Sequence, residues 1–289
     1  MSRPDPRRPL VAVLQYAPQH AAVAANLELS LRKIEDAGDR GASIVVLPEC
    51  CTTGLVYSDR GELFDVAETF EGPAVSAWKK AAARLKIYII AGMAEREGKK
   101  LFNAAILASP DGTASRYRKA HVFGDERSLF DLGDELACLD TPWGRIGVAV
   151  CYDIWFPELT RALAKNGATL VVSPSNWFVP PRQTSDPSGA SPMAMHHAIA
   201  AACSNEITIA CADRIGEEGG VRFLGQSFIV GPNGRLLAGP GSSADDDCLL
   251  AEWPDSSVTR SMVQSHLETR RDDLYSRSVV ILGGQSNGA

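Results

Sequence analysis

The stretch GRIGVAVCYDIWFPELTR, residues 144–161, decides how the chain is read. From Ile146 to Cys151 it is short, apolar and preceded by glycine, the pattern of a strand covered on both faces. Pro157 then suits the first position of a helix over PELTRALAKNG. The strand therefore ends on a cysteine and a helix follows within a few residues. Open α/β sheets gather their ligands at such strand exits. A cysteine in this place is either core filling, because free cysteine is among the most buried residue types, or a nucleophile.

Outward from this unit, strands and helices alternate. Strands are expected at 10–17, 42–49, 168–176, 206–214, 224–231 and 247–253, and helices at 21–41, 74–86 and 193–206, the last capped and opened by Ser191 and Pro192. IYIIAGMAE, LFNAAILAS and TASRYRKAHV read as consecutive strands, with Asp111-Gly112 turning the last two into a hairpin; Pro232-Asn233-Gly234 marks another turn. A final helix is expected over 255–274. No low-complexity linker divides these elements, so 1–275 reads as one domain, with 276–289 a C-terminal tail that either crosses to a neighbouring subunit or is disordered. The stretch 178–191 is the one long irregular segment, a surface loop or a lid.

RGASIVVLPEC (40–50) and NGATLVVSPSN (166–176) echo one another, each following a helix and ending in a strand-stopping proline. Either helix-to-buried-strand units converge on this composition, or the fold has two similar halves with Glu49 and Ser175 at equivalent exits.

The 289 residues carry a net charge of −6, 45% hydrophobic and 22% charged side chains, an ordinary globular composition. Binding to nucleic acid or an anionic membrane would call for a basic stripe, and none is visible. LVAVLQ, after the proline-rich N-terminus, is too short for a signal-peptide core, and no window suits a transmembrane helix. Seven cysteines, an odd number, fit reduced thiols and a cytoplasmic location. There is no C-x-x-C or H-x-x-x-H, and the adjacent His196 and His197 project differently from a helix, so neither metal nor cofactor is expected.

Glu49, Lys119 and Cys151 all fall at or near strand exits, and together they make a working set. A thiol is only a few per cent thiolate at neutral pH and needs a base. A glutamate carboxylate supplies one when burial raises its pKa. A lysine ammonium, with the backbone N–H of Tyr152, stabilises the oxyanion formed when sulfur attacks a carbonyl-like carbon.

VVLPE around Glu49, YRKAHVF around Lys119 and GVAVCYDIWFPELTRAL around Cys151 resemble the three signatures of the nitrilase superfamily, the carbon–nitrogen hydrolases, in order and in spacing: 70 residues, then 32. The resemblance extends over nearly the whole chain, through GATLVVSPSNW, ITIACADRIG and LGQSFIVGPNGRLLA. It implies a single-domain, four-layer αββα sandwich that pairs into homodimers or larger assemblies. It also implies Cys151 as nucleophile, Glu49 as general base and then acid, Lys119 as oxyanion stabiliser, and Glu126 as a second glutamate near the lysine. Tyr152, Trp155 and Trp177 are the expected substrate contacts. Tyr152-Asp153 after the cysteine is similar to the amidase and carbamoylase branches, and the aromatic Trp155 favours a neutral amide over a carboxylate-bearing substrate. Glu158 and Arg161 are expected to form a structural salt link. The implied reaction is hydrolysis of a small amide; carbamoyl compounds, nitriles and acceptors other than water remain alternatives. A papain-like pair of Cys151 with His121, and a non-catalytic scaffold, are the competing readings.

Overall fold

The computed structural model describes residues 8–178, 192–254 and 265–275. In chain order the elements are β1 (Leu10–Gln15), α1 (Val23–Asp39), β2 (Ile44–Val46), α2 (Arg60–Val66), α3 (Pro73–Leu85), β3 (Tyr88–Glu97), β4 (Lys100–Ala108) and β5 (Ala114–Arg118). Then follow β6 (Cys138–Thr141), β7 (Gly144–Val148), α4 (Pro157–Lys165), β8 (Ala168–Pro174), α5 (Met193–Asn205) and β9 (Thr208–Ala212). A two-residue-strand hairpin, β10 (Glu217–Glu218) and β11 (Val221–Arg222), precedes β12 (Phe228–Val230), β13 (Leu236–Ala238), β14 (Asp247–Glu252) and the short α6 (Asp272–Tyr275).

Period-two alternation builds the layers. Along β1, Val11 and Val13 face the second sheet while Ala12 and Leu14 face α1 and α3; along β2, Ile44 and Val46 divide from Val45 and Leu47 in the same way. Leu159 and Leu163 of α4 and Ala198 and Ala202 of α5 cover the outer face of the other sheet. The result is an αββα sandwich, each buried aliphatic side chain contributing about 1.5–3 kcal/mol.

One sheet runs β14-β1-β2-β3-β4-β5 and the other β13-β12-β9-β8-β7-β6. In the first, β1, β2 and β3 are parallel; in the second, β7, β8 and β9 are. The two echo strands, β2 and β8, are therefore the central parallel strands of the two sheets. Their exits meet across the sandwich, with the Glu49 N–H donating to the Ser175 carbonyl at 3.4 Å and Asn176 Nδ2 to the Glu49 carbonyl at 2.9 Å.

The expected helix over 255–274 is corrected where it is described. Residues 265–271 hold no helix, because Glu206 accepts from Ser265 Oγ and the His266 N–H and fixes a turn there; only α6 is helical. Pro192 occupies the N-cap of α5 without a side-chain bond, whereas Ser191, nearly all of 178–191, and the tail 276–289 lie outside the described residues. β6 and α2 were not expected. β6 is an edge strand alternating between exposed and half-buried, and α2 is opened by Asp59, which accepts from the Gly61 N–H at 3.0 Å.

Gly92 on β3 fixes the turn after β2. A Cβ there would lie 2.5 Å from Glu49 Cα and 2.8 Å from the Cys50 nitrogen. Gly92→Ala must push this backbone aside and is expected to lower stability by about 1–3 kcal/mol, as an overpacked core does, measured by denaturant unfolding.

Candidate active site

Glu49 lies just beyond β2, Lys119 directly after β5, and Cys151 opens a 3-10 turn, Cys151–Trp155, after β7. All three are almost completely buried. The backbone of Lys119 is pinned on both sides, its N–H donating to the Asn103 carbonyl at 2.8 Å and its carbonyl accepting from the Gly133 N–H at 2.9 Å. Nζ of Lys119 donates to Glu49 Oε1 at 2.7 Å and to Glu126 Oε2 at 2.9 Å. Burial alone would pull this lysine pKa down, but the Glu126 and Glu49 carboxylates outweigh it and hold the ammonium well above its ordinary value. Burial pushes the Glu126 carboxyl up, although the lysine opposes this.

Glu49 Oε1 accepts a second hydrogen bond, from Asn103 Nδ2 at 2.6 Å. Its other oxygen, Oε2, is buried and has no partner. An unpaired buried acceptor is costly and calls for an explanation.

Cys151 sits at φ +50°, a left-handed conformation that costs a non-glycine residue about 1–3 kcal/mol. Asp153 holds it there. Its Oδ2 accepts from the Val150 N–H at 2.9 Å and from Tyr117 Oη at 2.7 Å, and its Oδ1 lies 2.9 Å from the His121 nitrogen and 2.8 Å from His121 Nδ1. One buried carboxylate thus ties the cysteine turn to the segment bearing Lys119. Burial, and next the Glu49 charge, push the Cys151 thiol well above its usual range; Lys119 and a hydrogen bond from the Asn176 backbone N–H act the other way. The resting sulfur is therefore a protonated thiol that needs a base.

Lys119, Glu49 and Glu126 are in direct contact, and Cys151 lies within their electrostatic reach. His121 belongs elsewhere: its Nδ1 faces Asp153 and its ring stacks on Phe156 at 3.7 Å, which gives the papain-like pair no support. Tyr152, half-buried beside the cysteine, packs against Phe123 at 4.8 Å. Trp155 stacks on His197 at 4.5 Å, and Trp177 is buried and stacks on Phe228 at 5.7 Å. The expected Glu158–Arg161 salt link does not form: Glu158 is exposed, and Arg161 Nη1 is buried without a partner.

Sequence reading missed Asn103, Asp153 and Asn176, polar residues whose partners are remote in the chain. All seven cysteines are free, and no group of three or more metal-ligating side chains occurs among the described residues. No helix among those residues is long and apolar enough to cross a membrane.

A family model for carbon–nitrogen hydrolases matches residues 10–260. The chain belongs to the carbon–nitrogen hydrolase family. A nitrilase from Pyrococcus abyssi is 34% identical over 244 residues, 84% of this chain and 88% of the relative. An omega-amidase from Xenopus tropicalis is 31% identical over 271 residues, 87% of this chain and 91% of the relative. Among solved structures, a glutamate-to-glutamine mutant of the amidase from Nesterenkonia sp. AN1 superposes with a TM-score of 0.76 at 25% identity, covering 95% of this chain and 98% of that one; in that mutant the acetamide moiety of fluoroacetamide is covalently added at the active-site cysteine. The present carbon–nitrogen hydrolase is accordingly an enzyme of the amidase type.

Proposed function

We propose that this carbon–nitrogen hydrolase converts a small, uncharged carboxylic amide to its acid and ammonia through a thioester on Cys151. The thiol proton passes to Glu49 Oε2 as sulfur attacks the amide carbon. The oxyanion is stabilised by Lys119 Nζ and the Tyr152 N–H. The carbon–nitrogen bond then breaks, Glu49 returns the proton to the leaving nitrogen, and ammonia departs. Water, activated by Glu49, cleaves the thioester and restores the thiol. Glu126 also holds Lys119, accepting from its Nζ at 2.9 Å.

The observation that carries this reading is the divided use of the Glu49 carboxylate. Oε1 is occupied by Asn103 and Lys119, while the buried Oε2 has no partner and so has lone pairs free to take a proton. The uncharged substrate is argued from an aromatic cluster drawn from three loops. Phe123, between Lys119 and Glu126, meets the Tyr152 ring at 4.8 Å and the Phe178 ring at 5.6 Å, both edge-on, and is 38% exposed. Rings so placed favour an apolar acyl group.

The test is intact-mass analysis of the protein during turnover of amides, carbamoyl compounds and nitriles, with ammonia release measured in parallel. An acyl adduct mapped to Cys151, with ammonia released from neutral amides, is expected. Ammonia release with the adduct on another residue, or from carboxylate-bearing substrates alone, contradicts the proposal.

A further inference from the structure

Along β4 the side chains alternate between the two faces of its sheet. Ala105 and Leu107 pack between the sheets, and Ala104, Ile106 and Ala108 pack under the helices. Asn103 continues the inner row, 1% exposed, and is the one polar side chain among the buried residues of the strand. A leucine there would fill similar space with no polar group to satisfy. The amide, moreover, is only half satisfied: Nδ2 donates to Glu49 Oε1 at 2.6 Å, whereas Oδ1 is buried with no partner. An unpaired buried acceptor lowers stability, so packing does not account for this residue and its bond to Glu49 does.

The same residue reaches the lysine through its main chain. The Asn103 carbonyl accepts from the Lys119 N–H at 2.8 Å, one step beyond the Ala104–Arg118 pair of β4 and β5. Nζ of Lys119 then returns to Glu49 Oε1 at 2.7 Å. Two donors from separate strands therefore meet on one oxygen. The last torsion of a glutamate side chain is broad and nearly two-fold, so a carboxylate held by one donor is free to exchange its oxygens. With two donors on Oε1, a proton on that oxygen would displace both; a proton on Oε2 disturbs neither.

We propose that Asn103 is a positioning residue for the base, fixing the Glu49 carboxylate jointly with Lys119 so that Oε2 alone receives the thiol proton and returns it. The S–H bond breaks as the O–H bond forms on Oε2, and the proton later passes to the leaving nitrogen, while Oε1 keeps its two donors throughout. The inference rests on the reading of Glu49 as the base that serves Cys151.

A double-mutant cycle tests it, with kcat and KM for a neutral amide measured in the unaltered enzyme, Asn103→Leu, Glu49→Gln and the pair combined. Asn103→Leu keeps the main-chain carbonyl and with it the Lys119 bond. It is expected to lower kcat about 10–100-fold, as a misplaced base does, with little change in KM. In the Glu49→Gln background the same substitution should change kcat by no more than about twofold, because no proton is then carried for Asn103 to place. Folding is followed by circular dichroism, and Asn103→Ala, which only removes atoms, carries the test where leucine unfolds the protein. If Glu49→Gln is slow while the Asn103 variants keep kcat within about twofold, the role of Asn103 is refuted and the base reading stands. Should Glu49→Gln itself keep full kcat, both fall. An equal loss in the two backgrounds, or a loss confined to KM, also overturns the proposal, since Asn103 then serves the fold or the substrate pocket.

Discussion

Replacing Cys151 by alanine is expected to bring ammonia release from the preferred amide down to background, a loss on the order of 10^6-fold. The methyl group leaves the Asp153 clamp on Val150 and Tyr117 in place, so the variant should fold and bind substrate. What disappears is the atom that bonds to the acyl carbon, and nothing near it substitutes: the Cys50 thiol is buried and, like that of Cys151, is pushed up by burial and by the Glu49 charge. Cys138→Ser, at an exposed edge-strand position, should leave turnover unchanged. The same raised thiol gives a pH signature in the unaltered enzyme. With its pKa above the ordinary range, the thiolate fraction at neutral pH is small and grows about tenfold per pH unit. Alkylation of resting Cys151 by iodoacetamide should therefore climb steadily from pH 6 to 8 without a plateau. Full ammonia release by the alanine variant would remove the covalent mechanism.

The reach of the sequence follows from how far each signal extends along the chain. Cys151 was legible because an apolar strand, a cysteine and a helix-opening proline stand within a dozen residues, and β2 and β8 because each is a short, largely apolar run with a proline at or just after its end. The pairing of the two echo strands across the sandwich was open to two readings, and sheet order decides between them. The partners of Asn103, Asn176 and Asp153 were not legible. Asn103 meets Glu49 across a separation of 54 residues, Asn176 across 127, and Asp153 meets Tyr117 across 36. Asn103 is the lone polar side chain among the buried residues of an apolar strand and Asp153 follows the cysteine by two residues, but neither position by itself names the partner it meets. α2 had a usable signal in Asp59 and Glu62, a capping pattern, masked by Gly61 at the second helical position.

Glu49→Gln is the sharper test of mechanism, because it alters proton chemistry and almost nothing else. The amide oxygen can take the place of Oε1 and keep accepting from Asn103 and Lys119, so the local fold should persist. The amide nitrogen then occupies the position of the unpartnered Oε2, where it cannot accept a proton from sulfur or return one to the leaving nitrogen. A general base positioned in this way contributes roughly 10²–10⁴-fold, and the loss should fall on kcat with little change in KM. Removing the Glu49 charge also removes a group that pushes the Cys151 thiol upward, so the thiol pKa should fall towards its ordinary value. Residual turnover of the variant should therefore rise with pH, as solvent takes the proton that Glu49 no longer takes, and alkylation of the resting thiol should be faster than in the unaltered enzyme at the same pH. A more reactive sulfur in a much slower enzyme is a combination that a purely structural glutamate does not produce. If Glu49 only anchored Lys119, the isosteric amide would preserve that anchor, and kcat would stay within a few-fold of its original value across the whole pH range.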